Sequence, residues 1–266
     1  TNPAAPAAPL APPDLARIAK TVATKLPFRG DVTGLTPLAG DASNRRYFRI
    51  VLKGRPSALI LMQLADPEGF KKSEEAVSGA SVQIAELPFT NVLTHLQRTG
   101  VTVPQLHYYD REAGLLYLED FGDLTLAEAC RDADRDRLVA LYRQAIDQLV
   151  LFQVKGTQPP APGCIAFHRR FDVPLLMWEF DHFLEYGIAA RLGQPMKPAD
   201  DAAVRATFQR IAELLAGQPQ VFVHRDYHSR NLMVDGARLG IIDFQDALMG
   251  PATYDLASLL KDAYIE

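Results

Sequence analysis

Asp226 and Asn231 lie on one polar stretch of Val221-Phe-Val-His-Arg-Asp226-Tyr-His-Ser-Arg-Asn231-Leu-Met-Val, and a second acid, Asp243, closes the apolar run Leu239-Gly-Ile-Ile. An aspartate on a loop between apolar runs can accept the proton of a hydroxyl. An amide oxygen and a carboxylate are the hard donors that Mg²⁺ prefers. Together they can hold a hydroxyl beside a metal–nucleotide, so phosphoryl transfer is the chemistry these residue types point to. A lone aspartate would read as a cap or turn residue. Here Asn231, Asp243 and the apolar brackets 221–223 and 239–242 fit one template, so Asp226 is the expected base and Asn231 and Asp243 the expected metal ligands.

His224 and His228 are four residues apart, a spacing that binds Zn²⁺ on a helix. This stretch reads as a loop and offers no third ligand. His224 is therefore expected to brace the loop through hydrogen bonds, and His228 to lie near the acceptor or the phosphates. Asp255, in Gly250-Pro-Ala-Thr-Tyr-Asp-Leu-Ala, stands at the start of a helix. There a carboxylate accepts backbone N–H groups or binds the loop's histidine and arginine, and the expected role is a structural brace. Asp246 reads either as a further metal contact or as a turn residue. Upstream, Leu38-Ala-Gly40-Asp41-Ala-Ser43-Asn44-Arg45-Arg46-Tyr47 offers backbone and side-chain donors plus charge to a phosphate, a composition that ordinary hairpin loops share.

The elements that must position these residues follow from periodicity. Asp14 can cap a short helix. Segments 34–38, 47–52 and 57–64 alternate like an antiparallel meander, and 101–109 and 114–119 read as two more strands. Helices are expected over 70–87, 89–99, 125–129, 134–155, 173–192 and 199–216, with Leu138, Leu141, Ala145, Leu149 and Phe152 at helical spacing in the long one. The β-rich half ends near Asp120–Asp123. The expected division is a disordered Ala/Pro-rich lead-in (1–13), a nucleotide-binding half (14–122), and a catalytic, acceptor-binding half (123–266).

The 266 residues are 48% hydrophobic and 23% charged, with a net charge of −4. That is an ordinary composition for a globular protein, and it gives no electrostatic reason to expect nucleic acid or an anionic membrane as partner. No apolar stretch is long enough to span a bilayer, and the start lacks the pattern of a signal peptide. The two cysteines, Cys130 and Cys164, have no metal-site spacing, which favours a reducing, cytoplasmic setting. A monomer is expected.

His224-Arg-Asp226 with Asn231, Ile242-Asp243-Phe244, and Gly250-Pro with Tyr254-Asp255-Leu-Ala resemble the aminoglycoside phosphotransferase family. Within it, Gly40-Asp-Ala-Ser-Asn-Arg-Arg-Tyr-Phe-Arg49 and Asp243-Phe-Gln-Asp-Ala247 resemble the bacterial anomeric kinases of N-acetylmuramate and N-acetylglucosamine in cell-wall recycling. The resemblance runs from about residue 34 to the end. It implies an α+β, protein-kinase-like two-lobed fold, with a small β-rich lobe and a larger helical one. It also implies ATP and Mg²⁺ as cofactors and an amino sugar as small-molecule substrate. Gly40, Asp41, Ser43, Asn44 and Arg46 would cover the nucleotide phosphates, and Glu119 and Phe121 would be hinge residues at adenine. Trp178 would cover a sugar face, with Glu179 and Asp181 binding hydroxyls or an acetamido N–H. The same helix reads equally as a core tryptophan beside solvated acids. The chain departs from the family on the strand 58–64, where Met62 or its neighbours stand in place of the phosphate-binding lysine of many relatives, and at Pro88-Phe89, where its glutamate partner would stand. Arg46, Arg49 or Lys53 are the substitutes at hand. The family commonly continues beyond the helix of Asp255, so part of the acceptor side is expected to lie past residue 266. An aminoglycoside or amino-alcohol kinase, and a non-catalytic nucleotide- or sugar-binding module, are the competing readings.

Overall fold

The computed structural model describes residues 11–28, 30–38, 45–64 and 86–265. Gly40, Asp41, Ser43 and Asn44, the helix expected over 70–87 apart from its last two residues, and residues 1–10 of the lead-in lie outside them. The described residues fall into two compact units, one from Thr1–Ser73 with Pro104–Phe121 and one from Glu74–Val103 with Gly122–Glu266.

The first unit is an antiparallel sheet of order β1-β2-β3-β5-β4, made of β1 (Asp31–Pro37), β2 (Arg45–Lys53), β3 (Ala58–Leu64), β4 (Leu106–Asp110) and β5 (Leu115–Glu119). The helix α1 (Leu15–Lys25) packs on it, with Asp14 accepting the N–H of Ala16 as the expected cap. Ile18 and Val22, one helical turn apart, insert among Phe48, Ile50, Leu52, Leu59, Leu61, Leu115 and Tyr117. Burying each such aliphatic side chain stabilises the unit by about 1.5–3 kcal/mol. Arg17 pairs with Asp110 at 2.7 Å and Glu112 at 2.8 Å. Of the stretch expected to be disordered, residue 11 accepts a hydrogen bond from Gln63 Nε2 at 3.1 Å and Pro13 is buried. Residue 11 is thus tied to the sheet through Gln63.

The second unit begins with α2 (Pro88–Thr99), which the division groups with the helical half rather than with the sheet. Gly100 ends it in the left-handed conformation, φ 77°. Asn91 ties α2 onward by accepting the N–H of Ile165 and donating to the carbonyl of Gly163, both at 2.8 Å. Next come α3 (Leu126–Arg131), capped by a Thr125/Glu128 capping box, and α4 (Arg135–Thr157), capped by Asp134. The helix α4 buries Leu141, Ala145, Leu149 and Phe152 on the expected face. Then α5 (Val173–His182) runs through a π-helical stretch (Phe183–Ala189) into α6 (Ala190–Leu192), as one helical segment over the expected 173–192. It is followed by α7 (Pro198–Ala216). No helix among the described residues is long and apolar enough to cross a membrane. Cys130 and Cys164 are buried free thiols.

Four short strands complete this unit: β6 (Gln220–Val223), β7 (Leu232–Asp235), β8 (Arg238–Ile241) and β9 (Leu248–Pro251), followed by α8 (Thr253–Leu260). β6 pairs with β9 and β7 with β8, both antiparallel, so the second pair is nested inside the first. The loop leaving β6 and the loop leaving β8 are thereby forced side by side. Gly250 on β9 is a close-approach position: a Cβ there would lie 2.8 Å from the Phe171 ring and 3.1 Å from the Val223 side chain. Phe171 is buried and stacks on Tyr254 at 4.4 Å, so it has little room to yield. Gly250→Ala is expected to destabilise the protein by about 1–3 kcal/mol through overpacking, read from urea unfolding. An unchanged midpoint would mean that the Phe171 ring moves aside freely.

Candidate active site

The first loop, residues 224–231, is held from three sides. Asp255, buried in the first turn of α8, accepts the backbone N–H of His224 at 2.8 Å and of Arg225 at 3.1 Å. Of the two roles open to it from sequence, it takes the backbone one. Tyr227, buried, donates its hydroxyl proton to the carbonyl of Ala145 in α4 at 2.8 Å. Asp262 accepts the N–H of Ser229 at 2.6 Å. Neither Tyr227 nor Asp262 stands out in the sequence. The one signal is a bulky aromatic in a polar run, which marks a loop residue that points inward.

His224 is the joint between the two loops. Its Nδ1 faces the N–H of Asp226 at 3.2 Å and its Nε2 faces the carbonyl of Ile242 at 2.8 Å. The first contact needs an acceptor and the second a donor, so the ring carries its proton on Nε2. The backbone N–H of Ile242 in turn donates to the carbonyl of Asn231 at 3.0 Å. His224 thus bonds to both loops. Among the described residues no three His, Cys, Asp or Glu side chains cluster to hold a metal.

The carbonyl of Asp226 accepts both the N–H of His228 and Nδ2 of Asn231, each at 2.9 Å. Asn231 therefore has its amide nitrogen committed, leaving Oδ1 as its donor to an incoming cation. His228 Nε2 lies 3.4 Å from that same amide nitrogen, and its ring packs edge-on against Tyr264 at 5.3 Å. On the second loop, Gln245 donates from Nε2 to Asp243 at 3.0 Å and Asp246 at 3.3 Å, while its own carbonyl accepts from the buried Arg169 at 3.2 Å. Phe244 stacks on Phe89 of α2 at 5.2 Å, and Ile241 donates to the carbonyl of Thr102 at 2.9 Å. An amide oxygen and a carboxylate on adjoining loops suit Mg²⁺, which keeps few protein ligands and takes the rest from phosphates and water.

Among the described residues Arg225 (φ 81°) and Asp243 (φ 64°) are the non-glycine residues with positive φ, and both lie in this site. Each such conformation costs on the order of 1 kcal/mol, tolerated where surrounding bonds overdetermine it. The Asp226 carboxyl is raised above its ordinary value, chiefly because the surrounding protein disfavours its charge; nearby Asp243 adds to this and Arg225 opposes it. The residue itself is open to solvent, so a proton can reach it.

On α5, Trp178 is 43% exposed, with its ring 3.9 Å from that of His182. It is not a core tryptophan. Glu179 accepts a hydrogen bond from Arg225 at 2.9 Å, Asp181 pairs with Arg205 of α7, and Asp172 caps the helix by accepting the N–H of Leu175. Each of these acids thus has a protein partner, while Asp172 and Asp181 remain exposed to solvent. In the first unit, Arg49 donates to Asp120 at 2.6 and 3.1 Å, and the Arg46 guanidinium lies 5.0 Å over the Phe48 ring. The N–H of Glu119 is used by the carbonyl of Gln105 at 2.8 Å, and Phe121 is buried. Met62 is fully buried on β3.

A sheet unit with one packed helix, a helical unit, and two nested loops presenting an aspartate, an asparagine and a second aspartate define a phosphotransferase-type fold. The chain belongs to the phosphotransferase enzyme family, whose model matches residues 34–266. It is 34% identical over 235 residues to the N-acetylmuramate/N-acetylglucosamine kinase of Pseudomonas putida, an alignment covering 87% of this chain and 60% of that one. It is 32% identical to the enzyme of the same name from Neisseria meningitidis, covering 87% and 62%. The chain thus spans about three fifths of the length of these relatives. Among solved structures, the ADP-bound aminoglycoside phosphotransferase APH(2'')-Ib is similar with a TM-score of 0.57 at 13% identity, covering 94% of this chain and 77% of that one. A choline/ethanolamine kinase family protein from Mesorhizobium loti is similar with a TM-score of 0.52 at 18% identity, covering 92% and 69%. The fold is α+β and protein-kinase-like.

Burial pushes the Asp255 carboxyl up to about 6, against the two N–H bonds that favour its charge. An unfolded aspartate releases its proton near pH 4, roughly two units lower. Between those values the folded chain holds the proton and the unfolded chain does not, so this group's contribution to stability declines as pH rises. Asp255→Asn is expected to remove that decline. Unfolding midpoints of both proteins between about pH 4 and pH 6 test it, and equal slopes would show that Asp255 ionises normally.

Proposed function

We propose that the chain is a kinase that transfers the γ-phosphoryl group of Mg²⁺-ATP to the anomeric hydroxyl of an N-acetylated amino sugar, N-acetylmuramate or N-acetylglucosamine. The observation that carries this reading is the joining of Asp226, Asn231 and Asp243 through two interlocked loops. The names of the most similar curated relatives support the acceptor.

In this reading Asp226 orients the acceptor O–H and takes its proton as the oxygen bonds to the γ-phosphorus. The bond from that phosphorus to the β–γ bridging oxygen breaks, and ADP leaves with the electron pair. When bound by Asn231, Asp243 and the phosphates, Mg²⁺ would neutralise charge on the transferring group. A raised Asp226 pKa makes it a better proton acceptor, and an anomeric hydroxyl is more acidic than an ordinary alcohol, so modest basicity suffices. Arg46 and the loop 40–44 are assigned to the phosphates, and the strand end 119–121 to adenine. Arg49 is assigned to hold that strand end through Asp120.

The ion pairs of α5 bear on the competing acceptors. Of the acids that would attract a cationic aminoglycoside or choline-like molecule, Glu179 and Asp181 are neutralised by arginines and Asp172 caps a helix. Glu185, the remaining acid of this segment, is exposed, so a cationic acceptor stays the second reading.

Asp226→Asn is expected to lower phosphoryl transfer by at least about 10²-fold, in the range of a lost general base, while ATP binding measured by calorimetry survives. Transfer at the wild-type rate would remove Asp226 from the mechanism and favour a binding module. An acceptor panel of both sugars, choline and kanamycin with Mg²⁺-ATP tests the substrate, with phosphate at C1 of either sugar as the expected product.

A further inference from the structure

Arg225 occupies a left-handed backbone position, φ 81°, that glycine adopts without strain. Its side chain nevertheless extends into the protein, only 12% exposed. There it donates from Nη2 to Glu179 at 2.9 Å and lies 5.7 Å over the Phe171 ring. Glu179 is the charged residue lining a cavity of about 460 Å³ whose walls include Leu176, Phe180, Phe183, Phe208 and Tyr254. The cavity wall on α5 is therefore tied to the residue directly before Asp226.

We propose that the Arg225–Glu179 ion pair sets the position of α5 against the loop of Asp226, which makes Arg225 a positioning residue for the acceptor. The proposal rests on the kinase reading above. The tether is stiff at its loop end, because Asp255 holds the backbone N–H of Arg225 and Phe171 packs under the guanidinium. At its other end Glu179 lies one turn before the π-helical stretch, a helix irregularity whose register needs an external reference. A charge-assisted bond with half-buried partners is directional enough to supply that reference. A glycine would relax the backbone but lose the tether, so the chain carries local strain for a connection that only a long cation can make.

Trp178, the chain's single tryptophan, adjoins Glu179 and reports on α5 independently of turnover. Arg225→Gly, Glu179→Gln and the double variant would be compared with wild type in two assays. One is ATP-dependent transfer to N-acetylmuramate, which carries a carboxylate, and to N-acetylglucosamine, which does not. The other is acrylamide quenching of Trp178 emission. Each single variant should stay folded by circular dichroism and raise KM for both sugars on the order of 10-fold, with a smaller effect on kcat. Each should also alter quenching of Trp178, and the double variant should add nothing to either effect. A loss confined to N-acetylmuramate would overturn the proposal, since Arg225 would then bind the acceptor carboxylate itself. Additive effects, or unchanged KM and quenching, would overturn it too. If the wild type phosphorylates neither sugar, the kinase reading fails, and the quenching cycle alone decides whether the pair positions α5.

Discussion

Asp255 accepts two consecutive backbone N–H groups, those of His224 and Arg225, from a fully buried position in the first turn of α8. A buried carboxylate is unfavourable unless donors surround it, and here the donors are the loop's own amides. The bond pattern fixes the peptide planes on which the left-handed turn at Arg225 depends. That turn reverses the chain after β6 and presents Asp226 beyond it. His224, held by the same carboxylate, then reaches the carbonyl of Ile242. Asp226, Asn231 and Ile242 are linked to this clamp through His224 and the bonds between the loops.

The two loops support each other because the strands around them are nested. With β7–β8 enclosed by β6–β9, residues 224–231 and 242–247 are neighbours whatever their side chains. The side chains then convert proximity into registry. Asn231 bonds back to the carbonyl of Asp226, and Gln245 bridges Asp243 and Asp246. Two carboxylates near one another raise the cost of ionising both, which helps to explain why Asp226 is shifted upward. Divalent metal chemistry suits such a pair, because a cation relieves the repulsion that the fold imposes.

Much of this was readable from residue order. Asp226, Asn231 and Asp243 stand out because their spacing is tied to apolar brackets that form the short strands β6 and β8, and the backbone bonds of Asp255 follow from helix-start chemistry. The helices over 134–155 and 173–192 are legible from their period, and the strands from alternation. Other features depend on long-range contacts that local patterns do not encode. Nothing around Glu179 or Asp181 reveals that arginines at 225 and 205 will occupy them, and nothing around Asp262 reveals Ser229. The grouping of α2 with the helical unit hangs on Asn91 and His95 finding Gly163, Ile165 and Gly156, all more than 60 residues away.

The sheet unit shows why a lysine would not fit at Met62. Met62 is buried on β3, opposite Tyr47 on β2 and Leu116 on β5. An ammonium group there would have to be desolvated, which costs several kcal/mol unless a partner acid accompanies it. The expected partner position holds Pro88-Phe89, and Phe89 is buried against Phe244. Met62 and Phe89 thus each contribute apolar packing. On β2 of the same unit Arg45, Arg46 and Arg49 are partly buried, and Arg49 pairs with Asp120 at 2.6 Å. Arginine retains its charge in such surroundings far more readily than lysine.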